Sequence, residues 1–131
     1  MSRVFSLRLA DEDASKLDRW ARRYGRTAGS AAGVLLSEKL KEESFPDIEH
    51  RSTAAGRLAY IKGTRLPVWL VVNLCRAAGL DAAAYAESLG WIAPGKIQAA
   101  FDYAQAFPAE VQAAIDYADE YEARHNPHRA S

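Results

Sequence analysis

Residues 3–9 read Arg-Val-Phe-Ser-Leu-Arg-Leu. Phe5, Leu7 and Leu9 alternate with Val4, Ser6 and Arg8, so one face is apolar and the other largely polar. Period two is the pattern of a half-buried strand. No second alternating run follows for roughly forty residues, and a lone strand leaves its N–H and C=O groups without partners. The simplest remedy is pairing with the same strand of a second chain. A homodimer through residues 3–9 is therefore the first expectation.

A helix is expected at once. Asp11, Glu12 and Asp13 place negative charge where its free N–H groups favour it. Ala14, Leu17, Trp20, Ala21 and Tyr24 recur at helical spacing, Arg22 and Arg23 suit the last turn, and Gly25 suits a left-handed stop. Thr27 can cap a second helix that carries Ala31, Val34, Leu35 and Leu40 and ends near Glu43.

Strand, helix, turn, helix within residues 3–43 resembles the ribbon-helix-helix DNA-binding family of the Arc, MetJ and CopG type. The residues that carry the resemblance are Val4 to Leu9, the acidic helix start, and Tyr24-Gly25-Arg26-Thr27. The family implies an intertwined dimer whose two-stranded ribbon enters the major groove of operator DNA. By position, Phe5, Leu7 and Leu9 would face the core, and Val4, Ser6 and Arg8 the bases, with Arg3 beside them. Arg26 and Thr27, opening the second helix, would hold a phosphate. Val4 departs from the polar residue commoner at such a place.

Beyond residue 43 the chain changes character. Pro46, Ser52 and Gly56 mark a connector over 44–56, within which Ile48 to Arg51 suits an extended stretch. Arg57 to Ile61 reads as a strand, and the two stretches suit a hairpin. Pro67 opens a helix carrying Leu70, Val71, Leu74, Cys75 and Ala78, stopped by Gly79. Asp81 caps the next, with Ala82, Tyr85, Ala86 and Leu89, stopped by Gly90. Pro94 opens a third with Ile97, Ala100, Phe101, Ala104 and Phe107, and Pro108 a fourth with Val111, Ala114, Ile115, Ala118 and Tyr121. Each apolar stripe needs a partner face, so a small helical bundle follows, with gaps short enough for a helix-turn-helix. The whole is mainly α: a ribbon-helix-helix unit (1–43), a connector (44–56), a helix-turn-helix-like bundle with a short β-hairpin (57–124) and a tail (125–131).

This second stretch resembles the family known as domain of unknown function 433, the helix-turn-helix-like domain of some VapB-type antitoxins. Its marks are Gly56-Arg57, the run Tyr60-Ile61-Lys62-Gly63-Thr64-Arg65-Leu66-Pro67-Val68-Trp69, Ala99 to Ala104, and Phe107-Pro108-Ala109-Glu110-Val111. The resemblance implies an antitoxin that neutralises a PIN-like ribonuclease and represses its own operon. Trp91-Ile92-Ala93-Pro94 departs from the more polar approach of many members.

The formal charge is zero, but it is unevenly spread. Residues 1–30 carry +3, 31–51 carry −2, 52–96 carry +3 and 97–131 carry −4. A positive front suits phosphate. An acidic end, with Asp102, Asp116, Asp119, Glu120 and Glu122, suits a basic nuclease surface, or simply keeps the last helices solvated.

Enzyme chemistry finds little support. His50, His125 and His128 are scattered, Cys75 lies on an apolar helix face, and Lys62-Gly63-Thr64 lacks the first glycine of a phosphate loop. No catalytic residue, metal or cofactor is expected. A single cysteine and the absence of an apolar leader at the N-terminus suit a cytoplasmic protein, with no membrane partner. A stand-alone regulator without a toxin and a dimeric interaction module without DNA binding are the alternative readings.

Overall fold

The computed structural model describes residues 2–125. The elements are α1 (Asp11–Arg23), α2 (Ala28–Ser44), β1 (Ile48–Thr53), β2 (Gly56–Ile61), α3 (Val68–Ala78), α4 (Ala82–Leu89), α5 (Pro94–Ala106) and α6 (Pro108–His125). The chain divides into two compact units, Met1–Lys41 and Glu42–Ser131. The end of the expected tail, residues 126–131, lies outside the described residues.

In the first unit the expected strand is not formed: residues 2–10 have no regular structure in the single chain. Phe5 is 74% exposed and Leu7 68%, so the side chains expected to face a core stand in solvent. The physical reason is the one that makes a lone strand unstable: its backbone ladder needs a second backbone. The helices form as their end signals direct. Asp11, Glu12 and Asp13 occupy the first turn of α1, and Arg22 and Arg23 the last. Gly25 sits at φ 65°, Arg26 N–H donates to Ala21 O at 2.8 Å and Gly25 N–H to Arg22 O at 3.3 Å. That pair of bonds is a Schellman stop. Thr27 then caps α2, its Oγ1 accepting from Ser30 N–H at 3.1 Å.

In the second unit β1 and β2 form an antiparallel hairpin that pairs Ile48 with Ile61 and His50 with Ala59. The hairpin therefore begins inside the stretch expected as a connector. Ile48, Ala59 and Ile61 are buried, and α5 lies at the centre, touching both strands, α3, α4 and α6. Ile48, Ile61, Val68, Val71, Ile97 and Tyr103 are the largest fully buried side chains.

The turns use the residues the sequence offers for them. Gly79 and Gly90 stop α3 and α4 in the left-handed conformation, Asp81 Oδ1 accepts from Ala84 N–H at 2.8 Å, and Pro94 and Pro108 open α5 and α6.

Several stripes fall differently from expectation: Tyr24 of α1 and Leu40 of α2 are exposed, and Tyr103 joins the buried face of α5. In α3 the buried face is Val68, Val71, Val72 and Cys75, while Leu74 is exposed. The face is thus rotated from the expected one and follows i, i+3, i+4, i+7 from Val68. In α6 only Val111 and Ile115 are buried; Ala114 and Ala118 are half-buried and Tyr121 is exposed. The outer edge of that stripe is thus only partly covered within its unit.

Burial pushes the Cys75 thiol above its ordinary range, and burial followed by the neighbouring Cys75 does the same for Tyr85. As pH rises the unfolded chain sheds these protons first. Stability is therefore full below the ordinary thiol value and falls as pH climbs through it toward the raised folded value. We expect Cys75 to resist iodoacetamide at pH 8 in the native protein and to react once urea unfolds it. Equal labelling rates in the two states would contradict its buried position.

Candidate functional site

Three regions carry the chemistry. The first is the N-terminal segment with the start of α2. Arg3, Val4, Ser6 and Arg8 are all exposed along residues 3–8, with the Arg3 guanidinium 5.6 Å from the Phe5 ring centre. Arg26 and Thr27 meet at the head of α2, where Arg26 Nη1 donates to Ser30 Oγ at 3.4 Å. The Thr27 hydroxyl oxygen is engaged by its own helix. What this end offers an anion is therefore the Arg26 charge and the first N–H groups of α2, which helix geometry leaves without intrahelical acceptors.

The second region is the turn built by Lys62-Gly63-Thr64-Arg65-Leu66-Pro67. Gly63 takes φ 77°, a conformation that side chains rarely adopt. Thr64 Oγ1 donates to Ile61 O at 2.7 Å and accepts from Leu66 N–H at 3.0 Å. Ile61 N–H donates to Leu66 O at 2.9 Å. The most distinctive string in the chain is thus used to fold β2 back onto the start of α3.

Beside the turn, Arg51 lies 4.4 Å from the Tyr60 ring centre, and its Nε donates to Glu49 Oε1 at 2.8 Å. The Arg51 hydrogen bond, with Gly63 N–H and the charges of Arg51 and Lys62, outweighs desolvation and holds the Glu49 carboxyl below its usual range. Arg51, Thr64, Arg65 and Trp91 border a shallow cleft there.

The third region is α6 and what faces it. A groove of about 760 Å³ runs between the hairpin end, the head of α3 and α6. Leu58, Trp69, Ala114, Tyr117, Ala118 and Tyr121 line it, with Arg57, Glu110 and Glu122 also on its walls. Of the acidic residues expected to meet a partner, Glu122 borders this groove. Asp102 and Asp116 are exposed and accept from Gln98 and Gln112 one turn earlier at 2.9 Å each, and Asp119 and Glu120 are exposed.

Reaching the groove through Glu110 is a polar chain not foreseen from the sequence. His50 Nδ1 is 3.0 Å from Glu42 Oε2, and its Nε2 is 3.0 Å from the Tyr103 hydroxyl. That hydroxyl donates to Glu110 Oε2. The His50 side chain is only 4% exposed, and Tyr103 is fully buried. Phe45 and Phe107 pack against the Tyr103 ring with centroids at 5.4 and 4.9 Å. The chain ties the end of α2, β1, α5 and α6 together. Its available signal was spacing: Tyr103 stands three residues after Ala100 and six after Ile97, on the buried face of α5.

Among the described residues no group of three or more His, Cys, Asp or Glu converges as a metal site, and no helix is long and apolar enough to cross a membrane. No curated protein and no solved structure matches the chain. Residues 43–104, from the end of α2 through most of α5, match the family described as Protein of unknown function (DUF433).

Proposed function

We propose that the protein is a dimeric antitoxin that represses its own operon. In this reading residues 3–9 pair with their copy in a second chain to form a ribbon, and the ribbon reads operator DNA through Val4, Ser6 and Arg8. Arg3, Arg26 and Thr27 stand at the flanking phosphates. The second unit neutralises a PIN-like ribonuclease through its C-terminal helices. The observation that carries the reading is the row of bare apolar side chains on the first unit. Phe5, Leu7 and Leu9 stand in solvent, and so do Leu36 and Leu40 of α2. A unit this small gains most by covering such a row with its own copy. The antitoxin part comes from the family resemblance of the second unit, whose marks up to Ala104 fall within the matched residues 43–104 and whose Phe107 to Val111 lie beyond them. The charge spread, positive over residues 1–30 and −4 over 97–131, suits DNA at one end and a cationic nuclease at the other.

The test is reconstitution with the ribonuclease encoded beside the gene. Purified full-length protein stops its RNA cleavage and shifts the operon's upstream DNA. Binding to that DNA falls steeply with salt as counterions are released. Arg8→Ala costs about 1–3 kcal/mol at its preferred base pair and flattens sequence preference. Arg26→Ala weakens all sequences alike. Equal loss of preference from both changes, read in competition gel shifts, contradicts the division of roles. An unaffected nuclease contradicts the antitoxin reading.

A further inference from the structure

We propose that the groove between the hairpin end and α6 is the docking site for the partner ribonuclease, and that its occupant is a short amphipathic helix with Lys or Arg beside its apolar face. The inference rests on the antitoxin reading and gives it a surface and a ligand chemistry. The first argument is the unfinished stripe of α6. Val111 and Ile115 are buried in their own unit, whereas Ala114, Ala118 and Tyr121, at the same helical spacing, look into the groove. Tyr117 is 42% exposed and Tyr121 51%, with Leu58 and Trp69 on the facing wall. Exposed tyrosines around an apolar floor are what a protein interface concentrates, since they bury a large area at low entropic cost.

The second argument is shape. From Glu110 to Glu122 the groove follows α6 for about 18 Å, the length of a helix of about twelve residues. Ala114 and Ala118, four apart, leave a shallow channel along α6 that accepts the ridge of a second helix.

The third argument is charge, and it selects the occupant. Glu110 and Glu122 border the groove, while Asp116, Asp119 and Glu120 lie outside its lining on the other sides of the same helix and add only to its negative field. Arg57 is at the hairpin end, donating to Ser52 Oγ at 2.8 Å. Nucleic acid would set its phosphates against these carboxylates. A second copy related by a twofold axis would set α6 against α6 and acid against acid. A cationic, apolar protein helix meets neither obstacle. An RNA-cleaving partner, which must hold phosphates, has cations to offer.

The experiment uses the full chain and the purified ribonuclease encoded beside its gene, reading inhibition of RNA cleavage and the dissociation constant by calorimetry. Ala118→Arg, which fills the channel and adds a cation, weakens binding at least a hundredfold while leaving operator binding and the urea midpoint unchanged. Glu122→Lys weakens it about tenfold and flattens its salt dependence. If Ala118→Arg does not fold, Tyr117→Ala and Tyr121→Ala, at exposed positions, each weaken binding about tenfold. Wild-type inhibition retained in full by all these variants overturns the groove and leaves the antitoxin reading standing. Failure of the wild-type protein to inhibit removes both. Loss of self-association in Ala118→Arg, measured by sedimentation, assigns the groove to a second copy and also overturns the proposal.

Discussion

Tyr103→Ala destabilises the second unit by about 3–5 kcal/mol, and Tyr103→Phe, which deletes a single oxygen, by about 1–3 kcal/mol. The alanine figure is that of a fully buried aromatic side chain lost from a packed core, where Phe45 and Phe107 surround the ring. The phenylalanine figure comes from the partners left behind. The hydroxyl sits between His50 Nε2 and Glu110, and the His50 side chain has almost no access to water that could replace it. Leaving a buried polar group without its partner costs more than the net worth of the bond itself. His50→Leu in the Tyr103→Phe background then costs less than the two single changes together, because the orphaned nitrogen is gone. Urea unfolding followed by circular dichroism measures these variants together with His50→Leu alone. An unchanged midpoint for Tyr103→Phe would show that the hydroxyl holds nothing together.

The other large effect lies in the first unit. Phe5→Ala weakens the dimer by about 3–5 kcal/mol, the usual loss for truncating a buried aromatic, and leaves the second unit's melting unaltered. In the single chain Phe5 is 74% exposed and lies beside the exposed Arg3 guanidinium, so little within one chain is lost when it is cut back. Most of the penalty must come from the copy. Removing residues 2–9 has the larger consequence: the chain becomes monomeric and operator binding disappears. Sedimentation at micromolar concentration reads both changes. A dimer that persists without residues 2–9 would mean that the ribbon is not what joins the chains.

Much of this architecture can be read from end signals. Gly25, Gly79 and Gly90 mark stops and Thr27, Asp81, Pro94 and Pro108 mark starts, because each acts on its own turn through local geometry. Faces are harder. Leu74 shares a helical stripe with buried residues yet points to solvent, since periodicity fixes the width of an apolar face but not the partner that will cover it. The polar chain through His50 and Tyr103 was hidden for a different reason. Its directly bonded members are up to 53 residues apart, and only the packing of α5 across the hairpin brings them together. Of the residues expected at DNA, Arg3, Val4, Ser6 and Arg8 lie on a segment without regular structure in the single chain, which displays their exposure and no alignment.

One residue, Phe107, separates the end of α5 from the start of α6. Its N–H is bonded to Tyr103 O at 2.9 Å, its ring packs on Tyr103 and Phe45, and the proline that follows fixes its own φ and restricts Phe107 before it. Such an elbow has no slack, so α6 cannot swing about its root. Under the docking proposal, a visitor to that face meets it ready-made, so its association is set by encounter and electrostatic steering instead of by rearrangement.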